Sequence, residues 1–125
     1  MEQDHANEPK IIVIAHGSRA DGANEAHVAL CEQISAAVGR TVTAAFLELA
    51  EPDLPTAIDR VSADGATNIV VLPYFLHPGN HMTRDIPALA AAARERHPGV
   101  EITVAPLFGA DPALVDLVVA QLGLA

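Results

Sequence analysis

The feature that most constrains this chain is a set of four short apolar runs spread along its 125 residues. They are KIIVIA (10–15), TVTAAFL (41–47), NIVVLP (68–73) and EITVAP (101–106). All but the second, which carries Thr and Ala, are nearly continuously apolar. A strand with one face in water alternates apolar and polar residues, whereas a strand covered on both faces does not. Between the runs, apolar residues recur at helical spacing. The segment 23–38 carries His27, Leu30, Cys31, Ile34 and Val38 and is ended by Gly39. The segment 52–63 carries Leu54, Ala57, Ile58 and Val61, with Pro52 in its first turn and Gly65 just past its end. The segment 84–96 carries Ile86, Leu89, Ala90 and Ala93. The last, 112–121, carries Leu114, Leu117, Val118 and Gln121, with Asp111 as N-cap and Pro112 at the first helical position. Pro55 and Pro87 fall near helix starts, where a missing N–H is tolerated.

This βαβαβαβα order implies an α/β fold: a four-stranded parallel sheet, doubly wound, in a three-layer sandwich of the flavodoxin-like kind. Residues 1–9, with a solvated His5, read as a flexible tail, and 10–125 as a single domain. There is no internal repeat and no low-complexity segment.

Charge and composition remove several functions. A formal net charge of -9 repels polyanions, so no nucleic-acid partner is expected. No apolar run approaches the ~18 residues of a transmembrane helix, so no membrane partner is expected. The start, MEQDHANEPK, is acidic and polar and lacks the pattern of a signal peptide, which points to the cytoplasm. The one cysteine, Cys31, allows no intrachain disulfide and reads as a small hydrophobe in a helix.

The chemistry concentrates where strands should end. In open parallel sheets, ligands bind at the carboxyl ends of strands, in the crevice where strand order reverses. With order 2-1-3-4 the reversal lies between the first and third strands. His16 follows the first, the 74–81 loop follows the third, and Glu48 follows the second. No strand is followed by GxGxxG or a P-loop lysine. A histidine phosphatase would want an arginine before His-Gly, and Ala15 stands there. A flavin site would want a Ser/Thr-rich first loop and flanking aromatics, and a serine hydrolase G-x-S-x-G; neither is present.

Two imidazoles and a carboxylate remain. Neutral imidazole ligates late first-row divalent metals and accepts protons near neutral pH. His77 and His81 form an H-x3-H pair, but Pro78 and Gly79 make this a loop rather than a helix face. Each candidate has a plainer role as well. His16 could bond a backbone carbonyl, and Glu48 could be a solvated loop acid beside Glu51. His27, on an apolar stripe, is expected to pack. His97 is expected to complement a helix dipole. Arg19 and Arg84 flank the two histidines and suit substrate carboxylates.

The segments AHGSR, AFLELAEPDLPTAI, VVLPYFLHPGNHMTRDIP and RHPGVEITVAPLFGADPALVDLV resemble, in collinear order over about 10–122, the short-form sirohydrochlorin chelatases, the small CbiX-type class II chelatases. The combination of HGS with F-L-x-x-G-x-H-x-x-x-D-I-P carries the resemblance. It implies a chelatase-like fold and an enzyme that inserts a divalent metal into the tetrapyrrole sirohydrochlorin, serving cobalamin or sirohaem synthesis. Cobalt is favoured, then iron, then nickel. It also implies that His16 and His81 are the catalytic and metal-binding imidazoles, with Glu48 as a further ligand. Ser18, Arg19, Tyr74, Phe75, Gly79 and Arg84 are then expected to meet the substrate. No organic cofactor is required, since the metal is itself a substrate. A homodimer is implied, because one lobe provides only part of a cleft around the macrocycle. The rival readings are a non-catalytic metal or tetrapyrrole carrier and an interaction domain with incidental histidines.

Overall fold

The structure is a computed structural model that describes residues 8–124, with backbone only at 80–83. The four apolar runs form β1 (Lys10–Ala15), β2 (Val42–Phe46), β3 (Asn68–Pro73) and β4 (Glu101–Val104). They alternate with α1 (Asp21–Val38), α2 (Leu54–Ala63), α3 (Asn80–Arg96) and α4 (Ala113–Leu122). All strand pairs are parallel, in the order β2-β1-β3-β4, so the expected reversal beside β1 and β3 is present. Ile12 pairs with Thr43 on one side and Val71 on the other, which sets the register of the central strand.

Side chains of a strand alternate between sheet faces. Ile12, Ile14, Ala45, Ile69, Val71 and Ile102 point to one face. There they join Leu54, Ala57, Ile58 and Val61 of α2 and Ile86, Ala90 and Ala93 of α3 in a single buried cluster. The opposite face is covered by α1 over β1 and β2, where His27 and Cys31 are buried. Val70 and Leu72 of β3 are only half-buried on that side, and Thr103 of β4 is exposed. No described helix is long and apolar enough to cross a membrane.

Several local expectations change. Pro52 precedes the second helix rather than lying in its first turn, and the cap is Asp53, whose Oδ1 accepts the Thr56 N–H at 2.9 Å. That hydrogen bond holds the Asp53 carboxyl below the usual range. The third helix starts at Asn80, not near 84, so His81 belongs to a helix and not to a loop. Pro78 does not prevent this because it lies outside the helix, and Gly79 takes an extended N-cap conformation. Pro87 is consequently inside α3, where it removes one backbone donor, rather than near its start. The fourth helix is assigned from Ala113, one residue later than expected, but Asp111 Oδ1 accepts the Ala113 N–H at 2.9 Å and so acts as a cap. The expected core stripe of α4 is not buried: Leu114 is half-buried, and Leu117 and Val118 are 50% and 47% exposed. Val38 of α1 is likewise exposed. His97 caps α3, but its ring is paired with Asp59 of α2 at 2.7 Å. His5 and most of the expected tail lie outside the described residues.

Candidate functional site

Backbone hydrogen bonds continue the sheet past its strands and lock the loops at their carboxyl ends. Leu47 N–H donates to Ala15 O at 2.8 Å, and Glu48 N–H to His16 O at 3.0 Å. Tyr74 N–H donates to Ile14 O at 2.8 Å, and Gly109 N–H to Phe75 O at 2.9 Å. Two glycines make these approaches close enough. Gly17 has φ of +92°, and a Cβ there would collide with the Glu48 carbonyl oxygen. A Cβ on Gly109 would collide with the carbonyl of Leu76. Residues from all four strand ends are therefore held in one row.

The loop after β1 is also clamped from α1. Asn24 Nδ2 donates to Ser18 O at 2.8 Å, and Asn24 Oδ1 accepts the Ser18 N–H at 2.9 Å. Ser18 Oγ accepts the Ala20 N–H at 2.9 Å, which leaves the hydroxyl proton for an outside acceptor. Asn24 was not among the sequence candidates. Its only signal is an amide six residues beyond a strand-end serine.

A cavity of about 640 Å³ opens between α1 and the 74–77 loop. His16, Ser18, His27, Leu30, Phe46, Tyr74 and Phe75 line it. Its wall is mostly apolar and aromatic with a few polar groups, as ligand sites tend to be. The His16 ring stands edge-on to the buried Phe75 ring, with centroids 4.6 Å apart and planes at 86°. His16 is exposed, so packing fixes the orientation of its ring while its nitrogens stay reachable. Tyr74 stacks at a tilt on Phe108, 4.9 Å away.

His16 also borders a second, smaller cavity of about 250 Å³, shared with Leu47, Glu48, Asp85, Ala88 and Leu89. His16 thus stands between an apolar hollow and a hollow edged by two carboxylates. Asp85 was assigned no role from the sequence, although its place four residues after His81 is a signal once both lie on α3: such positions share a helix face. Among the described residues no three His, Cys, Asp or Glu side chains converge as a metal site.

The other predicted positions are distributed as follows. Ser18, Tyr74 and Phe75 line the larger cavity with His16, and so does His77. Arg19 and Arg84 are exposed and line neither cavity. Gly79 is the exposed N-cap of α3. The His81 side chain lies outside the described residues; its backbone is in the first turn of α3. His27 packs as expected: it is 7% exposed, and its Nε2–H donates to Val13 O at 2.9 Å. Cys31 is buried one turn away, and desolvation pushes its thiol up to about 11.

A family model named CbiX matches residues 10–124. The chain belongs to the CbiX family. The sirohydrochlorin ferrochelatase of Arabidopsis thaliana chloroplasts is 35% identical over 112 residues, covering 86% of this chain and 48% of that one. The sirohydrochlorin cobaltochelatase of Methanosarcina barkeri is 33% identical over 115 residues, covering 90% and 88%. Among solved structures, the sirohydrochlorin chelatase SirB from Bacillus subtilis subspecies spizizenii, in complex with cobalt, superposes with a TM-score of 0.82 at 32% identity, covering 92% of this chain and 50% of that one. The chain spans about half the length of the first curated relatives it matches, 48% and 42%. Others in the family are close to its own length.

Proposed function

We propose that this chain is a sirohydrochlorin chelatase that inserts a divalent metal into the tetrapyrrole. The observation that carries the reading is the place of His16, between an apolar, aromatic-lined cavity and a smaller one bordered by Glu48 and Asp85. The larger cavity suits the face of a flat macrocycle. The smaller one suits a hydrated cation, whose charge favours carboxylates and imidazole.

Insertion breaks two pyrrole N–H bonds, forms metal–nitrogen bonds and releases two protons. An imidazole at the boundary can ligate the metal loosely and then accept a proton as the metal leaves. His16 fills that role, with its ring held by Phe75. His81 and Glu48 are the further ligands, and Ser18, Tyr74, Phe75 and Gly79 border the bound ring. Arg19 and Arg84 meet its carboxylates at the rim. Holding ring and metal together makes their encounter a positioned reaction. The metal is a substrate, and no organic cofactor takes part. Cobalt is the favoured metal, followed by iron and nickel. Relatives named for cobalt and for iron support a divalent metal as substrate. We place residues 10–125 in a single functional unit that works in the cytoplasm as a homodimer, since the larger cavity is walled by α1 on one side and open on the other.

The test is turnover. Catalytic amounts of protein with sirohydrochlorin and Co²⁺, Fe²⁺ or Ni²⁺ should change the absorbance of many equivalents of tetrapyrrole above a protein-free control. Binding of one equivalent without turnover would make the chain a carrier and overturn the enzyme.

A further inference from the structure

The loop after β1 is held by one side chain from outside it. Asn24, in the first turn of α1, makes two hydrogen bonds to the same residue: Nδ2 donates to Ser18 O at 2.8 Å, and Oδ1 accepts the Ser18 N–H at 2.9 Å. The backbone N–H and C=O of Ser18 are thereby both spent on one amide. Ser18 Oγ is engaged as an acceptor by the Ala20 N–H at 2.9 Å. A hydroxyl carries one proton, and this one has to point away from that N–H. It is the donor that Ser18 has left.

The larger cavity gives such a donor a use. Ser18 and Asn24 both line it, and among its described lining residues there is no lysine, arginine, aspartate or glutamate. The chain as a whole carries -9. A ring with acid side chains meets an unfavourable field and finds no cation on the wall itself. What the wall offers a carboxylate is a neutral O–H. A hydrogen bond to an ionised acceptor is strong, and a donor fixed before the ring arrives loses little freedom on binding.

We infer that Asn24 is a positioning residue of the site: its amide locks Ser18 so that the Ser18 hydroxyl donates to a carboxylate of the bound ring. The inference rests on the chelatase reading for the identity of that ring. Asn24 acts on binding rather than on metal insertion, because His16 is fixed from elsewhere. The His16 carbonyl accepts the Glu48 N–H at 3.0 Å, and its imidazole stands against Phe75. Loss of the clamp frees Ser18 and leaves His16 in place.

Two measurements test this on the parent, Asn24→Ala, Ser18→Ala and the double variant: steady-state metallation of sirohydrochlorin with Co²⁺, and fluorescence titration of the metal-free ring. Asn24→Ala should raise KM and Kd roughly tenfold, as expected for one lost hydrogen bond to a charged group. Its kcat should stay within about twofold of the parent. Ser18→Ala should do the same. The double variant should lie within about twofold of either single one, since both remove a single contact. Asn24→Asp separates positioning from folding. It keeps an acceptor for the Ser18 N–H and suits the first turn of a helix, but it cannot donate to Ser18 O. It should melt within a few degrees of the parent and still bind the ring weakly.

Asn24→Ala with the KM and Kd of the parent would overturn the inference. So would effects that multiply in the double variant, because Asn24 would then act without Ser18. So would a fall in kcat with KM unchanged. The ring titration needs no turnover, which keeps the two ideas apart. A parent that binds the ring without metallating it removes the chelatase, and a tenfold weaker Asn24→Ala would still establish the clamp. Full turnover by the parent and by Asn24→Ala alike removes the clamp and leaves the chelatase.

Discussion

The two faces of the sheet are built differently. Under α2 and α3 the sheet is sealed: Ile12, Ile58, Ile69, Val71, Ala90 and Ala93 are each 0% exposed. On the other face α1 seals β1 and β2, but β3 and β4 are left partly bare, and a cavity of about 640 Å³ opens at the carboxyl ends of β1 and β3. The sealed face carries the buried core and meets only the smaller cavity at its rim, while the open face carries the larger one.

The largest effect expected from this contrast is on folding. Ile58→Ala leaves a cavity in the sealed cluster and should cost about 2–5 kcal/mol in urea unfolding. Val28→Ala, on the solvent side of α1, should cost less than about 0.5 kcal/mol. Equal losses would break the contrast. Cys31 asks whether α1 seals its own half. With its thiol pushed up to about 11 by burial, alkylation at pH 8 should run roughly hundredfold slower than in the unfolded chain. Alkylation as fast as in urea would show that α1 opens.

Gly17→Ala sharpens the contrast at its seam. A side chain at φ of +92°, against the Glu48 carbonyl, should cost about 1–3 kcal/mol and uncouple His16 from Glu48. Turnover should then fall further than melting temperature does. The smallest effect lies at the remote end of the sealed face. Hydrogen bonds from His97 first, then Arg96, hold the exposed Asp59 carboxyl below its usual range. A carboxyl depressed in the folded state adds stability above its unfolded pKa, near 4, and loses it as pH falls through the folded value. His97→Gln should therefore bring acid unfolding to a slightly higher pH, by a few tenths of a kcal/mol or less at such an exposed pair. No change in the acid midpoint would make this contact ornamental.

Much of this layout is legible in the sequence because burial leaves a periodic trace. Apolar runs, three of the four nearly continuous, identified all four strands, and the stripes of α2 and α3 named their buried residues, with Leu89 half-buried. That His16 and Glu48 border one cavity was legible because a parallel sheet puts strand ends on one rim. What failed lay in local geometry and in coverage. Pro78 and Gly79 hid the start of α3, since breakers mark where a helix cannot run without showing how soon it begins. The clamp of Asn24 on Ser18 depends on a turn geometry with no period. The stripe expected on α4, Leu114, Leu117, Val118 and Gln121, is not buried: helical spacing of apolar residues reports that a face could be covered, not that it is.

The central claim is that His16, at the boundary of the two cavities, performs metal insertion and does not hold the fold together. Steady-state chelation by His16→Ala, set beside its melting temperature and beside His27→Ala, tests this directly. We predict that His16→Ala lowers kcat/KM roughly 10²–10⁴-fold while melting within a few degrees of the parent, and that His27→Ala, which loses a packing contact, changes turnover only modestly. A His16→Ala protein that metallates sirohydrochlorin at the parent rate would contradict the account.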